Sequence, residues 1–237
     1  MFLREILLQC PVCALTVCLR IIMNNYDKLQ KAAQQRFCGY DKNILAKKDG
    51  VCEDADHLYT RFFMQEVKIR KLDGEITVDG RPAGFGEALA VYDWLCDRRE
   101  NACAVNEYCQ VEQLASVHLS GGGLPITAPV LAQKIQMQPQ RFAQLCRQMG
   151  GKEMQLGDIG CCVEIFPGLC VCIKFYYGDD EFAPSVSLLW DKNILQFVRY
   201  ETVYYIAAAC NSFCCGNCKD VYSALWLDIN CFWRESS

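Results

Sequence analysis

Apolar positions recur along the chain with two different spacings, and the change from one to the other marks the elements. From Asn24 to Phe37, the residues Leu29, Ala32, Ala33 and Phe37 return at helical spacing, and Asn24, Asn25 and Asp27 are suited to cap the start. Residues 38–58 are polar and irregular. His57 to Leu72 reads as extended, with Tyr59, Phe63, Val67 and Ile69 as strand formers. Leu72-Asp73-Gly74-Glu75 carries the Asp-Gly hairpin signal, Ile76-Thr77-Val78 is the return strand, and Gly80-Arg81-Pro82 turns the chain again. Ala88, Leu89, Val91, Tyr92 and Leu95 form the apolar side of a helix from Gly86 to Arg98.

Residues 100–126 read as loop, ending in a glycine-rich stretch, Ser120-Gly121-Gly122-Gly123. Helices follow at 127–137 and 140–149, broken by Gln138-Pro139 and stopped by Gly150-Gly151. Strand patterns return at 161–166, 169–177 and 185–190, the first two turning at Pro167-Gly168. A last helix runs from Tyr200 to Cys215, with Gly216 as its stop. Strands grouped apart from helices imply an α+β fold: antiparallel strands in two groups, packed against about five helices. The predicted organisation is a leader, 1–22, a single domain, 23–215, and a tail, 216–237. No internal repeat is present.

Composition adds two constraints. Apolar residues make up 52% and charged residues 22% of the 237 residues, an ordinary globular balance. A net charge of −4 repels phosphate backbones, so no nucleic acid partner is expected. Lys68, Arg70 and Lys71 alternate with Ile69 and Leu72 and read as the solvated face of a strand. The 18 cysteines are the anomaly. A secreted disulfide scaffold is short and poor in core, whereas this chain is long and rich in aliphatic residues. Many of its cysteines also stand where a strand or helix wants a small apolar side chain: Cys170 and Cys172 share one strand face, and Cys161 and Cys162 lie in another apolar run. Reduced thiols in a cytoplasmic protein are the expectation, with 161, 162, 170 and 172 slow to react until the protein unfolds.

The leader differs from the rest. Its apolar run is interrupted by Arg20, which makes it short for a membrane span, and it lacks a signal-peptide cleavage site. The expected translation start is Met23, with no membrane contact, so that 23–237 folds without the leader. Cys10-x2-Cys13-x4-Cys18, with Cys38 beyond, matches the ligand count of a [4Fe–4S] module, but its spacers lack the glycines that such loops use.

A set of ordered motifs carries a family resemblance. Ala88-Leu89-Ala90-Val91-Tyr92-Asp93-Trp94-Leu95 is followed by Phe142-Ala143-x5-Met149-Gly150-Gly151, Leu156-Gly157-Asp158, Gly178-Asp179-Asp180-Glu181-Phe182-Ala183-Pro184 and Leu188-Leu189-Trp190-Asp191. In this order they resemble domain of unknown function 3786, over about residues 23–214. The resemblance implies a cytosolic protein of an anaerobe, sometimes joined to an iron–sulfur module. It implies no activity and no catalytic residues.

Two groups of residues are candidates for chemistry. Asp179, Asp180 and Glu181 lie between aromatic-rich strands. Asp180 and Glu181, with Asp158, Trp190 and Asp191, form the expected rim of a pocket for a polar ligand. Cys210, Cys214, Cys215 and Cys218 give four thiols in nine residues. Cys210 and Cys214 stand one helical turn apart, and Gly216 allows a tight turn around a zinc ion. A redox pair of the thioredoxin kind is disfavoured there, because these thiols sit at the C-terminal pole of their helix. The two histidines, His57 and His118, mark no catalytic constellation, and the glycine stretch fits neither a P-loop nor a dinucleotide fingerprint. Two functions therefore stand: a non-catalytic binding or accessory domain in cofactor or metalloprotein metabolism, or a thiol-metal or iron–sulfur enzyme or electron carrier, with zinc or an iron–sulfur cluster as the cofactor.

Overall fold

The computed structural model describes residues 11–114 and 129–214, with side chains from residue 25 onward and again from residue 131. Cys10, His118, the 120–125 stretch, Cys215, Cys218 and the tail lie outside the described residues. Six helices and ten strands are present among those described. Helix α1 (Pro11–Gly39) is continuous through Met23, so the expected helix start at Asn24 is not a boundary. Helix α2 (Lys42–Ala46) is a short turn capped by Asp41 within the stretch expected to be irregular.

The first sheet is a meander of β1 (Cys52–Glu53), β2 (His57–Phe62), β3 (Gln65–Arg70), β4 (Ile76–Val78) and β5 (Arg81–Pro82), antiparallel in sequence order. The single extended segment expected from His57 to Leu72 is in fact a hairpin. Its two turn residues, Phe63 and Met64, have φ of 48° and 65°, where Asn-Gly is the usual choice. Tertiary packing holds this conformation. The Phe63 ring is buried against Phe62 and Phe213, and its amide donates to the Ile165 carbonyl at 2.9 Å. Lys68 and Arg70 alternate with the buried Val67 and Ile69, so the basic cluster does lie on the solvated face.

Helix α3 (Phe85–Cys96) follows. The second sheet has the order β6-β10-β9-β8-β7, where β6 is Tyr108–Cys109, β7 Lys152–Glu153, β8 Ile159–Phe166, β9 Leu169–Tyr176 and β10 Ser185–Asp191. All its neighbouring strands are antiparallel. Helices α4 (Pro129–Met137), α5 (Pro139–Gln148) and α6 (Tyr200–Cys214) complete the fold; α4 contacts β10 and α5 contacts β8. The inner face of this sheet carries Cys161, Val163, Ile165, Val171, Ile173, Phe175, Val186, Leu188 and Trp190, all buried. Among the described residues no helix is long and apolar enough to cross a membrane.

The turn at Pro167–Gly168 is tight, and a bulge precedes it. Phe166 pairs with Leu169 but Glu164 pairs with Cys170, so Ile165 is an extra residue in β8. Both Ile165 and Phe166 are buried, and the Ile165 carbonyl is the acceptor that Phe63 uses. A bulge of this kind re-aims every side chain upstream of it. In a regular ladder Cys162 would oppose Ile173; with the bulge it opposes Cys172.

Helices α1, α3 and α6 are joined by a polar network. Arg36 donates to Asp93 at 2.5 Å and lies 3.2 Å from Asp97, Thr202 donates to Asp93, and Arg199 donates to Asp97 at 2.6 Å. Burial, opposed by Arg36 and reinforced by Asp93, pushes the Asp97 carboxyl from 3.8 up to about 6. Between those two values the folded protein holds a proton that the unfolded chain has lost. The stability contribution of Asp97 is therefore complete below about pH 4 and is lost as the pH rises to about 6. Urea titrations across this window should show stability falling with pH, and Asp97→Asn should flatten that slope. An unchanged slope in the variant would assign it to other groups.

Candidate functional site

The second sheet presents two features outside the core: an acidic, aromatic end and a thiol-bearing outer face. The acidic end is built by the connection from β9 to β10. Asp179 Oδ1 accepts from the amides of Glu181 (2.9 Å) and Phe182 (2.8 Å), and the Asp179 amide donates to the Phe182 carbonyl at 2.9 Å. The first two of these bonds hold the Asp179 carboxyl below its ordinary range. Asp158 accepts from the Tyr177 amide at 2.8 Å, and Gln136 of α4 accepts from the Gly178 amide at 2.7 Å. The segments around Gln136, Asp158 and Asp179 therefore meet at one place.

Met137, Met154, Tyr176, Tyr177 and Phe182 are 40–73% exposed at this end, and none of the ion pairs of the described residues involves Asp158, Asp179, Asp180 or Glu181. Eleven large hydrophobic side chains are exposed among the described residues, and these five account for nearly half. Their gathering on three touching segments sets the patch apart from scattered surface residues.

Of the expected pocket rim, Asp158, Asp180 and Glu181 stand at this acidic end. Trp190 and Asp191 stand at the far end of β10, about 17 Å away at ~3.3 Å per residue. They also point to opposite faces. Trp190 is fully buried on the inner face, whereas Asp191 accepts from the amides of Val105 (3.3 Å), Asn106 (2.7 Å) and Asn193 (2.8 Å) and so anchors the approach to β6.

The outer face of β8 and β9 carries Cys162, Cys170 and Cys172. Cys162 directly opposes Cys172 across the two strands, and Cys170, opposite Glu164, lies diagonally from it. Cys162 and Cys170 are half-buried and Cys172 is buried. The Cys162 sulfur lies 3.4 Å from the Tyr108 hydroxyl, which reaches it from β6. The adjoining thiols of Cys170 and Cys172, then Tyr108, with Lys152 nearby, hold the Cys162 thiol below its ordinary range, while the thiols of Cys170 and Cys172 are pushed up. The four β-strand cysteines treated alike in the sequence thus divide, with Cys161 and Cys172 buried and Cys162 and Cys170 in reach of solvent.

On the inner face, Cys210 and Cys214 of α6 are buried, and Cys146 of α5 and Cys161 of β8 are buried beside them. The adjoining Cys210 and burial push the Cys214 thiol up. Besides Cys210, the neighbours of Cys214 are Cys146 and Cys161, and only the packing of α5 on β8 reveals these two. Among the described residues no group of three or more His, Cys, Asp or Glu side chains is arranged to hold a metal ion. His57 lies 3.4 Å from Asp54, beside Tyr59 on the first sheet.

Residues 41–211 match the family model described as Domain of unknown function (DUF3786). The chain belongs to that family. The matched segment takes in both sheets, so the acidic end and the thiol face fall within the DUF3786 domain, while the whole of α1 lies outside it. No curated protein and no solved structure matches the chain.

Proposed function

We propose that the chain is a non-catalytic accessory domain that docks a basic segment of a partner protein on the acidic end of its second sheet. The observation that carries this reading is the meeting of Met137, Met154, Tyr176, Tyr177 and Phe182 with four carboxylates that enter no ion pair among the described residues. Exposed aromatic and methionine side chains supply contact area, with Lys174 over the Tyr176 ring, and four carboxylates outside any ion pair favour lysine or arginine and disfavour acidic partners. A role in the cofactor or metalloprotein metabolism of an anaerobe, in the cytoplasm, is the setting that the family resemblance suggests.

The test is titration of the full chain with a short fluorescent peptide of alternating lysine and phenylalanine, and with its glutamate counterpart. The lysine peptide should bind and weaken with salt. Phe182→Ser, and the pair Asp180→Asn with Glu181→Gln, should each reduce its affinity about tenfold, equivalent to about 1.4 kcal/mol. Equal binding of the glutamate peptide, or unchanged affinity in both variants, would overturn the reading.

A further inference from the structure

We propose that the outer face of the second sheet carries a thiol–disulfide exchange site in which Cys162 attacks a disulfide and Cys172 resolves the product. Three observations converge on it. First, the sequence places cysteine on both faces of β8, and the two are not equally buried. Cys161 is buried on the inner face, while Cys162 is half-buried on a face that also presents Lys152, Glu164, Lys174 and Tyr108. Second, Cys162 and Cys172 are directly opposed in an antiparallel pair. Opposed residues have Cα atoms about 4.5–5.5 Å apart. Disulfides span about 4.4–6.8 Å between Cα atoms, so the two cysteines can be bridged without moving the strands. Third, the bulge at Ile165 creates this opposition, and bulges are used to aim side chains at working sites.

The surrounding groups sort the roles. Cys170 and Cys172, then Tyr108, favour the Cys162 thiolate, as does Lys152 across the ladder, while Cys162 itself, burial and then Glu164 push Cys170 up. The group best able to attack is therefore the half-exposed one, and the group that follows is the buried one, kept as a thiol until it is needed.

The step needs a disulfide as oxidant, and a low-molecular-weight disulfide RS–SR serves. The Cys162 thiolate attacks one sulfur, the S–S bond breaks, and RS⁻ leaves with the electron pair and takes a proton from water. Cys172 then loses its proton and attacks the Cys162 sulfur of the mixed disulfide, releasing the second RS⁻. The sum is RS–SR plus two thiols giving two RSH and a Cys162–Cys172 disulfide: two electrons pass from the protein to the small disulfide. The reverse sequence reduces the protein.

The experiment treats the anaerobically reduced full chain with one equivalent of dithiobis(nitrobenzoate), quenches with acid, and maps each cysteine by mass spectrometry. At mildly acidic pH, Cys162 should react at least about tenfold faster than the exposed Cys38, Cys52 and Cys103. The final product should be a Cys162–Cys172 bridge. Cys172→Ser should stall at a nitrobenzoate adduct on Cys162, and Cys170→Ser should still close the bridge. Tyr108→Phe, which leaves the sulfurs in place, should move the pH midpoint of Cys162 labelling upward. Labelling of Cys162 no faster than that of the three exposed cysteines, or the absence of a Cys162–Cys172 bridge, overturns the proposal. Neither result bears on peptide docking at the acidic end.

Discussion

Asp93→Ala is expected to destabilise the folded chain by about 3–5 kcal/mol, the cost of removing one partner from a buried ion pair. Asp93 is 5% exposed and sits where α1, α3 and α6 meet, accepting from Arg36 on one oxygen and from Thr202 on the other. Alanine leaves a half-buried guanidinium and a buried hydroxyl without that acceptor. Asparagine keeps one acceptor oxygen, so Asp93→Asn should lose distinctly less. Against a total of about 5–15 kcal/mol, typical of native domains, the alanine variant should show a visibly earlier urea midpoint. A midpoint within error of the parent would show that Arg36 and Thr202 find other partners.

The second large effect is expected at Trp94. Its ring is fully buried, stacks on Phe166 at 4.9 Å with an interplanar angle of 11°, and lies beneath the Arg98 guanidinium at 4.7 Å. Phe166 in turn meets Phe62 at 5.1 Å, so Trp94 closes the apolar seam where the two sheets join. Trp94→Ala should cost about 3–5 kcal/mol through lost burial and the cavity left behind. Trp94→Phe keeps part of the stack and removes an indole N–H that has no hydrogen-bond partner among the described residues, so its cost should be smaller. Thermal and urea melts of the two variants decide this; equal losses would mean that the indole N–H is satisfied.

The long strands of the second sheet were legible because their apolar alternation is clean and Pro167-Gly168 marks the turn between two of them. The hairpin inside 57–70 was not, because its turn is Phe63-Met64, and no local preference announces a left-handed conformation for those side chains. The acidic turn was visible as a charged interval between aromatic strands. That Trp190 and Asp191 stand away from it follows from the length and pleat of β10, which a list of candidate residues does not convey. The thiols show the limit most clearly. Period-two reasoning places Cys161 and Cys162 on opposite faces and puts Cys170 with Cys172. Which thiol meets which depends on the register, and a simple count from Pro167-Gly168 would have set Cys162 against Ile173. Cys210 is the neighbour of Cys214 that the motif shows; the others come from α5 and β8, at sequence distances that no motif spans.

The extra residue at Ile165 also governs what length changes this fold would tolerate. Because the bulge is the one place where β8 is longer than the ladder requires, a relative lacking Ile165 would keep Glu164 opposite Cys170 and Cys162 opposite Cys172. It would lose the carbonyl that accepts from Phe63 and with it the backbone tie between the two sheets. A one-residue deletion there therefore separates the two properties: the register of the outer face survives in frame, while the bond from Phe63 does not, which leaves the apolar seam of Phe62, Phe166 and Trp94 to join the sheets.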